Sequence, residues 1–518
     1  MRLLLGTRPA SCVEVGKTKG LAARDIYRWT GRFLRWVGIF IGAVLVLFLI
    51  VAVSLLWSPV QTRVVGWLGE KASEQLGTEV RVGRVALSLT GQLVLERILV
   101  ADLDADTLIA ASAMRVKGLR IHPGTRLVSM TGFDLENVRF RLRTPAGGTK
   151  SNLTLLLDRL GDGDTTSAGG DWTVRCTRFN IAELHFTFDN ENSTRIPFGV
   201  DLEHVGVTHA HIAGRGLEVV GDSIVADLNR MRLVEQGGLE VTELSGRAAV
   251  SGKGIVIQDL RLRTPASAAD GELRFTTQNW RDYNAFNDKV MMRADLDTAH
   301  VDFADIALFA PGLEGIHYPM EVSGRIRGTI AELKGRDLRI AFGRRSRFSG
   351  AADLSGLPDI MNTFMVLDID ELSTDPDDLS GLPVPPFTSG ERLALPTDLH
   401  KLGHIGFNGN FTGFLRSFTA YGRTTTQLGV LNTDVSYERD TVSDVFTIAG
   451  RVVTPGFDLG PLTGTSTLGP LAANLRLKAS GHSFRTARAD LEGTFPMITV
   501  NGRSISGISA NGQLERNL

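Results

Sequence analysis

The chain has 518 residues, with 56 Lys and Arg against 57 Asp and Glu and a formal net charge of −1 at pH 7. That balance excludes a basic nucleic-acid surface, and 43% hydrophobic residues exclude a disordered composition despite 57 Gly. Two cysteines, Cys12 and Cys176, are too few for a disulfide scaffold or a Cys-type metal site.

Residues 1–35 carry Lys17, Lys19, Arg24, Arg28, Arg32 and Arg35, with Glu14 and Asp25 as the only acids. Residues 36–57, WVGIFIGAVLVLFLIVAVSLLW, contain no charge. A helix of that length spans roughly 30 Å, the thickness of a bilayer's hydrocarbon core. Trp36 and Trp57 stand at its ends, where amphipathic rings favour the headgroup level. The segment is longer than the apolar region of a signal peptide and predicts an uncleaved transmembrane helix. The basic bias before it places residues 1–35 in the cytoplasm and the bulk of the chain across the membrane.

Residues 58–77 predict a short amphipathic helix. Ser58 caps it, Pro59 opens it and Gly77 stops it. Val60, Val64, Trp67, Leu68 and Ala72 form one apolar face, which we read as a plug against the end of the next domain.

From Glu79 the hydrophobic period becomes two, the mark of half-buried antiparallel strands. A unit recurs, apolar-x-apolar-x-x-apolar-x-apolar. It occurs at Leu93, Leu95, Ile98, Val100; at Phe133, Leu135, Val138, Phe140; and at Phe179, Ile181, Leu184, Phe186. Further copies start at Val200, Ala226 and Ile255, and a degenerate one at Leu239. The middle pair is polar in nearly every copy, as in Glu96-Arg97, Glu136-Asn137 and Gln258-Asp259. In a plain strand the extra residue turns the second half to the wrong face. A bulge at the polar pair restores it and bends the strand.

The fold class predicted is therefore mainly β: a transmembrane helix, then an elongated, curved, trough-like antiparallel sheet with a few short helices. At about 12 residues per strand and turn it has on the order of 35 strands and a length of roughly 170 Å. Short helices are expected over 151–161 and 302–309. The β-rich region covers 78–371. Residues 372–398, with five prolines, read as a loop or segment boundary, and 399–518 continue the β pattern.

A search for chemistry returns little. Asp102-Leu103-Asp104-Ala105-Asp106 resembles the start of a calcium loop, but Thr107 and Ala113 stand where Gly and Glu are needed, so it reads as a hairpin turn. Asp375-Pro376-Asp377-Asp378 reads as a solvated turn. His209 and His211 share a strand face with no evident carboxylate to complete a metal set. His400 and His404 lack the Glu of H-E-x-x-H. No catalytic residue, metal site or cofactor is assigned.

Four stretches carry a resemblance: SPVQTRVVGWLGEKASEQLGTEVRVGRVALS at 58–88, LVLERILVADLDADTLIAASAMRVK at 93–117, residues 322–360 and residues 406–437. With the anchor before them, they resemble the AsmA-like family, closest to the TamB-type translocation and assembly module inner-membrane proteins in the form found in Bacteroidetes. The resemblance implies an inner-membrane anchor and a periplasmic β-trough in outer-membrane biogenesis. It also implies phospholipid conduction or aid to outer-membrane protein assembly, with a TamA-like barrel as partner. It supplies no catalytic residue. Members run longer, so the chain is expected to be a fragment that lacks the barrel contact. The candidates for contact with phospholipid acyl chains are Leu135, Val138, Phe140, Ile181, Leu184 and Phe186, from the two strongest units. The alternatives are an anchored structural stalk and a β-rich glycan hydrolase.

Overall fold

The computed structural model describes residues 73–74, 76–87, 92–160, 172–278, 280–384, 387, 392–395, 397–482 and 487–515. The expected tail 1–35, the membrane helix 36–57 with Trp36 and Trp57, and most of the helix 58–77 lie outside them. Among the described residues no helix is long and apolar enough to cross a membrane.

The described residues form one 24-stranded sheet. Its first strands are β1 (Val80–Leu87), β2 (Gln92–Ala101), β3 (Thr107–Lys117), β4 (Arg120–His122), β5 (Leu127–Met130) and β6 (Gly132–Thr144). Then come β7 (Thr173–Asn190), β8 (His204–Val220), β9 (Ser223–Glu235), β10 (Glu240–Ser251), β11 (Gly254–Arg263) and β12 (Ala268–Thr276). The third group is β13 (Met291–Asp302), β14 (Pro319–Gly328), β15 (Glu332–Phe342), β16 (Ser346–Ser355), β17 (Phe364–Thr374) and β18 (Ile405–Phe414). The last is β19 (Ser417–Thr426), β20 (Gly429–Arg439), β21 (Phe446–Asp458), β22 (Leu468–Gly481), β23 (Arg488–Val500) and β24 (Arg503–Glu515).

Strands β1, β2, β3 and β6 are antiparallel neighbours. β6 and β5 both lie parallel to β7, and β4 pairs with β5. A parallel pair needs a crossover. The helix Asn152–Leu160 lies on the connection between β6 and β7. From β7 to β24 each strand is antiparallel to the next. The described residues make fewer strands than the sequence count of about 35, because most strands run to 10 residues or more, and β7 and β8 to 18 and 17. At ~4.8 Å per step the line from β1 to β24 measures roughly 100 Å.

The bend in each unit has a specific backbone cause. The second residue of the polar pair is left-handed in Arg97, Asn137, Glu183 and Asp259, with φ of 48–55°. In β1, β2, β3, β6 and β7 the extra residue stands at the same level in every strand, so the ladder keeps step: Ile98, Ala111, Val138 and Leu184 pair in sequence. Farther along, the extra residue alternates with glycine on the facing strands. The bulged pairs Gln258-Asp259, Asp297-Thr298, Arg336-Asp337 and Asp370-Glu371 meet Gly271, Gly324, Gly350 and Gly409. A Cβ on Gly271 (φ +149°) would sit 2.1 Å from the carbonyl oxygen of Asp295.

Three of these bulged strands, at Ala294, Leu333 and Leu367, carry the same unit with Ala, Gly or Thr in place of a large apolar residue. The copy placed at Val200 is a correction: residues 200–203 form a turn, and the bulged unit is Val205, Val207, Ala210, Ile212 with left-handed His209.

Both expected helices form. Ser151 Oγ accepts from Thr154 N at the first. Asp302 Oδ1 accepts from Ala304 N at the second, which runs Phe303–Ala307. The Asp102 segment is a turn between β2 and β3, with the Asp102 carboxylate accepting from the amides of Asp104 and Asp106. The proline-rich stretch 372–398 does not end the sheet: β17 runs into it as far as Thr374 and pairs directly with β18 beyond it.

Candidate functional site

One face of the sheet is apolar from β2 to β18. Leu95, Met114, Leu135, Ile181, Ile212, Met231, Leu244 and Leu262 pair strand to strand from β2 to β11. Ala269, Ala299, Val322, Ile340, Phe348, Leu372 and Phe407 continue the same row to β18. A second row runs Ala248, Ile257, Leu273, Ala294, Ile326, Gly335, Ala352, Leu367, Phe411. On β12 the face reads Ala269, Gly271, Leu273, Phe275, and the opposite face Ala268, Asp270, Glu272, Arg274. Neither row contains a charged residue. Period two, with bulges cancelling each extra residue, is what makes this possible.

The exposure of this face changes along the sheet. In β1–β6 it is sealed into two packed clusters, with Leu95, Met114 and Val138 at 0% exposure, while on β7–β9 the row residues Ile181, Ile212 and Met231 keep intermediate exposure. The helix Asn152–Leu160 closes the second cluster through Leu153 and Leu156, against Phe140 and Leu142. From β10 onward the large side chains of the same rows are only half-buried: Leu262, Leu273, Phe275, Ile326, Ile340, Phe348 and Phe407 all keep intermediate exposure. Their opposite-face neighbours Arg327, Arg339 and Arg347 are exposed.

Three of the six residues singled out from sequence are sealed in the core and three are half-buried beside it. Leu135, Val138 and Phe140 are 0–4% exposed within the clusters. Ile181, Leu184 and Phe186 pack against those clusters from β7. Ile181, Leu184 and Phe186 keep the same intermediate exposure as the row residues farther along. Cys176 is buried in the same core, its Sγ 3.0 Å from the carbonyl oxygen of Arg178. Burial pushes its thiol pKa up to about 11.

The opposite face is laced with cross-strand ion pairs: Arg115 with Glu136, Arg263 with Asp270, Arg336 with Asp353 and Arg325 with Asp337. Exposed pairs of this kind contribute little stability each but keep the face wet. An open groove of about 650 Å³ lies along β12–β17, where apolar-row residues such as Val322 and Ile340 meet Asp270, Glu321, Arg339, Arg347 and Glu371.

Two polar clusters differ from their sequence reading. Asp378, read as part of a solvated turn, is buried and accepts from the amides of Arg344, Arg345 and Ser346 and from Ser346 Oγ. Burial pushes its pKa up, but these donors outweigh that and hold the carboxyl below its ordinary value. His209 and His211, read as lacking a carboxylate, both bond one: Glu183 lies 3.0 Å from His209 Nδ1 and 2.8 Å from His211 Nε2. Glu183 sits on the neighbouring strand at a left-handed bulge, a placement that spacing along one strand does not disclose. No family model, no curated protein and no solved structure matches this chain.

Proposed function

We propose that this chain is an envelope protein whose half-open apolar face, from β10 onward, holds acyl chains, serving as a lipid conduit or an assembly scaffold between membranes. The observation that carries the reading is the pair of charge-free rows left half-exposed over β10–β18. A large apolar side chain left in water forgoes roughly 1.5–3 kcal/mol of burial, so a long open row is costly unless something apolar covers it. Bulges and paired glycines bend the sheet, and the half-buried face against an exposed polar face fits a trough lined by the apolar side.

The contact positions in this proposal are Leu273, Ile326, Ile340 and Phe348 rather than the residues of the sealed end. The anchor Trp36–Trp57, a periplasmic position for the sheet and a TamA-like barrel partner are part of the same proposal and rest on charge pattern and resemblance. Native mass spectrometry of the purified chain tests it: phospholipid retained in stoichiometric amount supports the proposal, and lipid-free protein counts against it. A second reading, a structural stalk, is favoured by the sealed clusters of β1–β6, which need no ligand.

A further inference from the structure

On the polar face, where β7 meets β8, three imidazoles and one carboxylate converge. Glu183 and His209 occupy left-handed bulge positions on neighbouring strands, with φ of 52° and 51°. His185 follows Glu183 by two residues, and its ring lies edge-on to that of His209 with centroids 5.3 Å apart. One ligand atom each from Glu183, His185 and His209 lie within 4.8 Å of one another. His211 Nε2 stands 2.8 Å from the Glu183 carboxylate. We propose that Glu183, His185, His209 and His211 form a binding site for a first-row divalent cation of the zinc type.

The geometry is close to what such a cation needs. Metal–nitrogen distances of about 2.0–2.1 Å around a tetrahedral centre put ligand atoms roughly 3.3 Å apart. The atoms of Glu183, His185 and His209 therefore have to draw in by about 1.5 Å at most, which side-chain rotation supplies, and His211 is held at the site by its bond to the Glu183 carboxylate. His209 is 69% exposed, so only its contacts with Glu183 and His185 restrain its ring. Three neutral imidazoles with one carboxylate, and no thiolate, suit Zn²⁺, Co²⁺, Ni²⁺ or Cu²⁺ and not Ca²⁺ or Mg²⁺. Without metal, the carboxylate bridges two rings; with it, the same oxygen becomes a ligand. Arg139 and Arg232, register partners of His185 and His211, add positive charge nearby and limit the affinity. A bound cation ties β7 to β8, beside the passage from the sealed end to the half-open face.

Titration of the metal-stripped full chain with Co²⁺, followed in the visible, tests this. The expected result is one equivalent bound with the intense bands of a tetrahedral site. The double variant His185→Ala/His209→Ala and the shape-preserving Glu183→Gln each weaken binding by roughly tenfold or more, while His300→Ala on the same polar face leaves it unchanged. These side chains lie outside the core, so circular dichroism should match the parent. No spectral change with excess Co²⁺, or a titration unaffected by the double variant, overturns the proposal.

Discussion

Leu135 and Val138, three positions apart on β6, point into one packed cluster and pair with Met114 and Ala111 on β3. Asn137 turns left-handed between them at φ 48°, which cancels the flip that an odd spacing imposes. Asn adopts this region at small cost and a β-branched residue does not. Replacing Asn137 by Val is expected to lose about 1–2 kcal/mol. Replacing it by Gly should stay within about 1 kcal/mol. Urea denaturation compares the two, and equal losses would refute the left-handed requirement.

The glycines facing the bulges make a second prediction. Gly271 has a φ that L side chains avoid, and the carbonyl of Asp295 fills the space a Cβ would take. Gly271→Ala is expected to cost about 2 kcal/mol or more in a thermal or urea titration. Gly312→Ala, with open space around it, serves as the neutral control.

Much of this fold was legible. The period-two pattern and the polar pairs located the bulges in β2, β6, β7 and β11 because four large apolar residues framed each one. Those in β13, β15 and β17 carry a weaker signal because Ala299, Gly335 and Thr374 stand at framing positions; the apolar face there is continued by neighbouring strands. The sealing of β1–β6 is not legible either, since the same unit serves covered and half-open strands alike. Glu183 reaches His209 only through pairing of β7 with β8, and Asp378 reaches the 344–346 amides across 32 or more residues of chain.

Sealing changes what a charge does at Val138. At 0% exposure, an Asp there has no water and no partner, and the loss is expected to exceed about 3 kcal/mol. Val138→Asp should therefore fail to fold, whereas Ile340→Asp on the half-open face should retain a cooperative transition. Similar melting of both variants would contradict the division between sealed and open segments.

Asp378 supplies the acid limb. Its folded pKa is depressed, so its contribution is present above the unfolded carboxylate value near 3.9 and is lost as pH falls through the lower folded value. Asp378→Asn is expected to lower the melting temperature at neutral pH and to make its decline from about pH 5 to about pH 2 shallower. An unchanged acid slope would mean that the amides of Arg344, Arg345 and Ser346 do not hold the charge.

The most direct test of the acyl-chain proposal is site-specific photo-crosslinking in cells with labelled phospholipid. A benzophenone side chain is placed in turn at Ile326 and Ile340 on the apolar face and at Arg327 and Arg339, one residue away on the opposite face. The account predicts lipid adducts at Ile326 and Ile340 and none at the two arginine positions. Adducts absent everywhere, or equal on both faces, would contradict it.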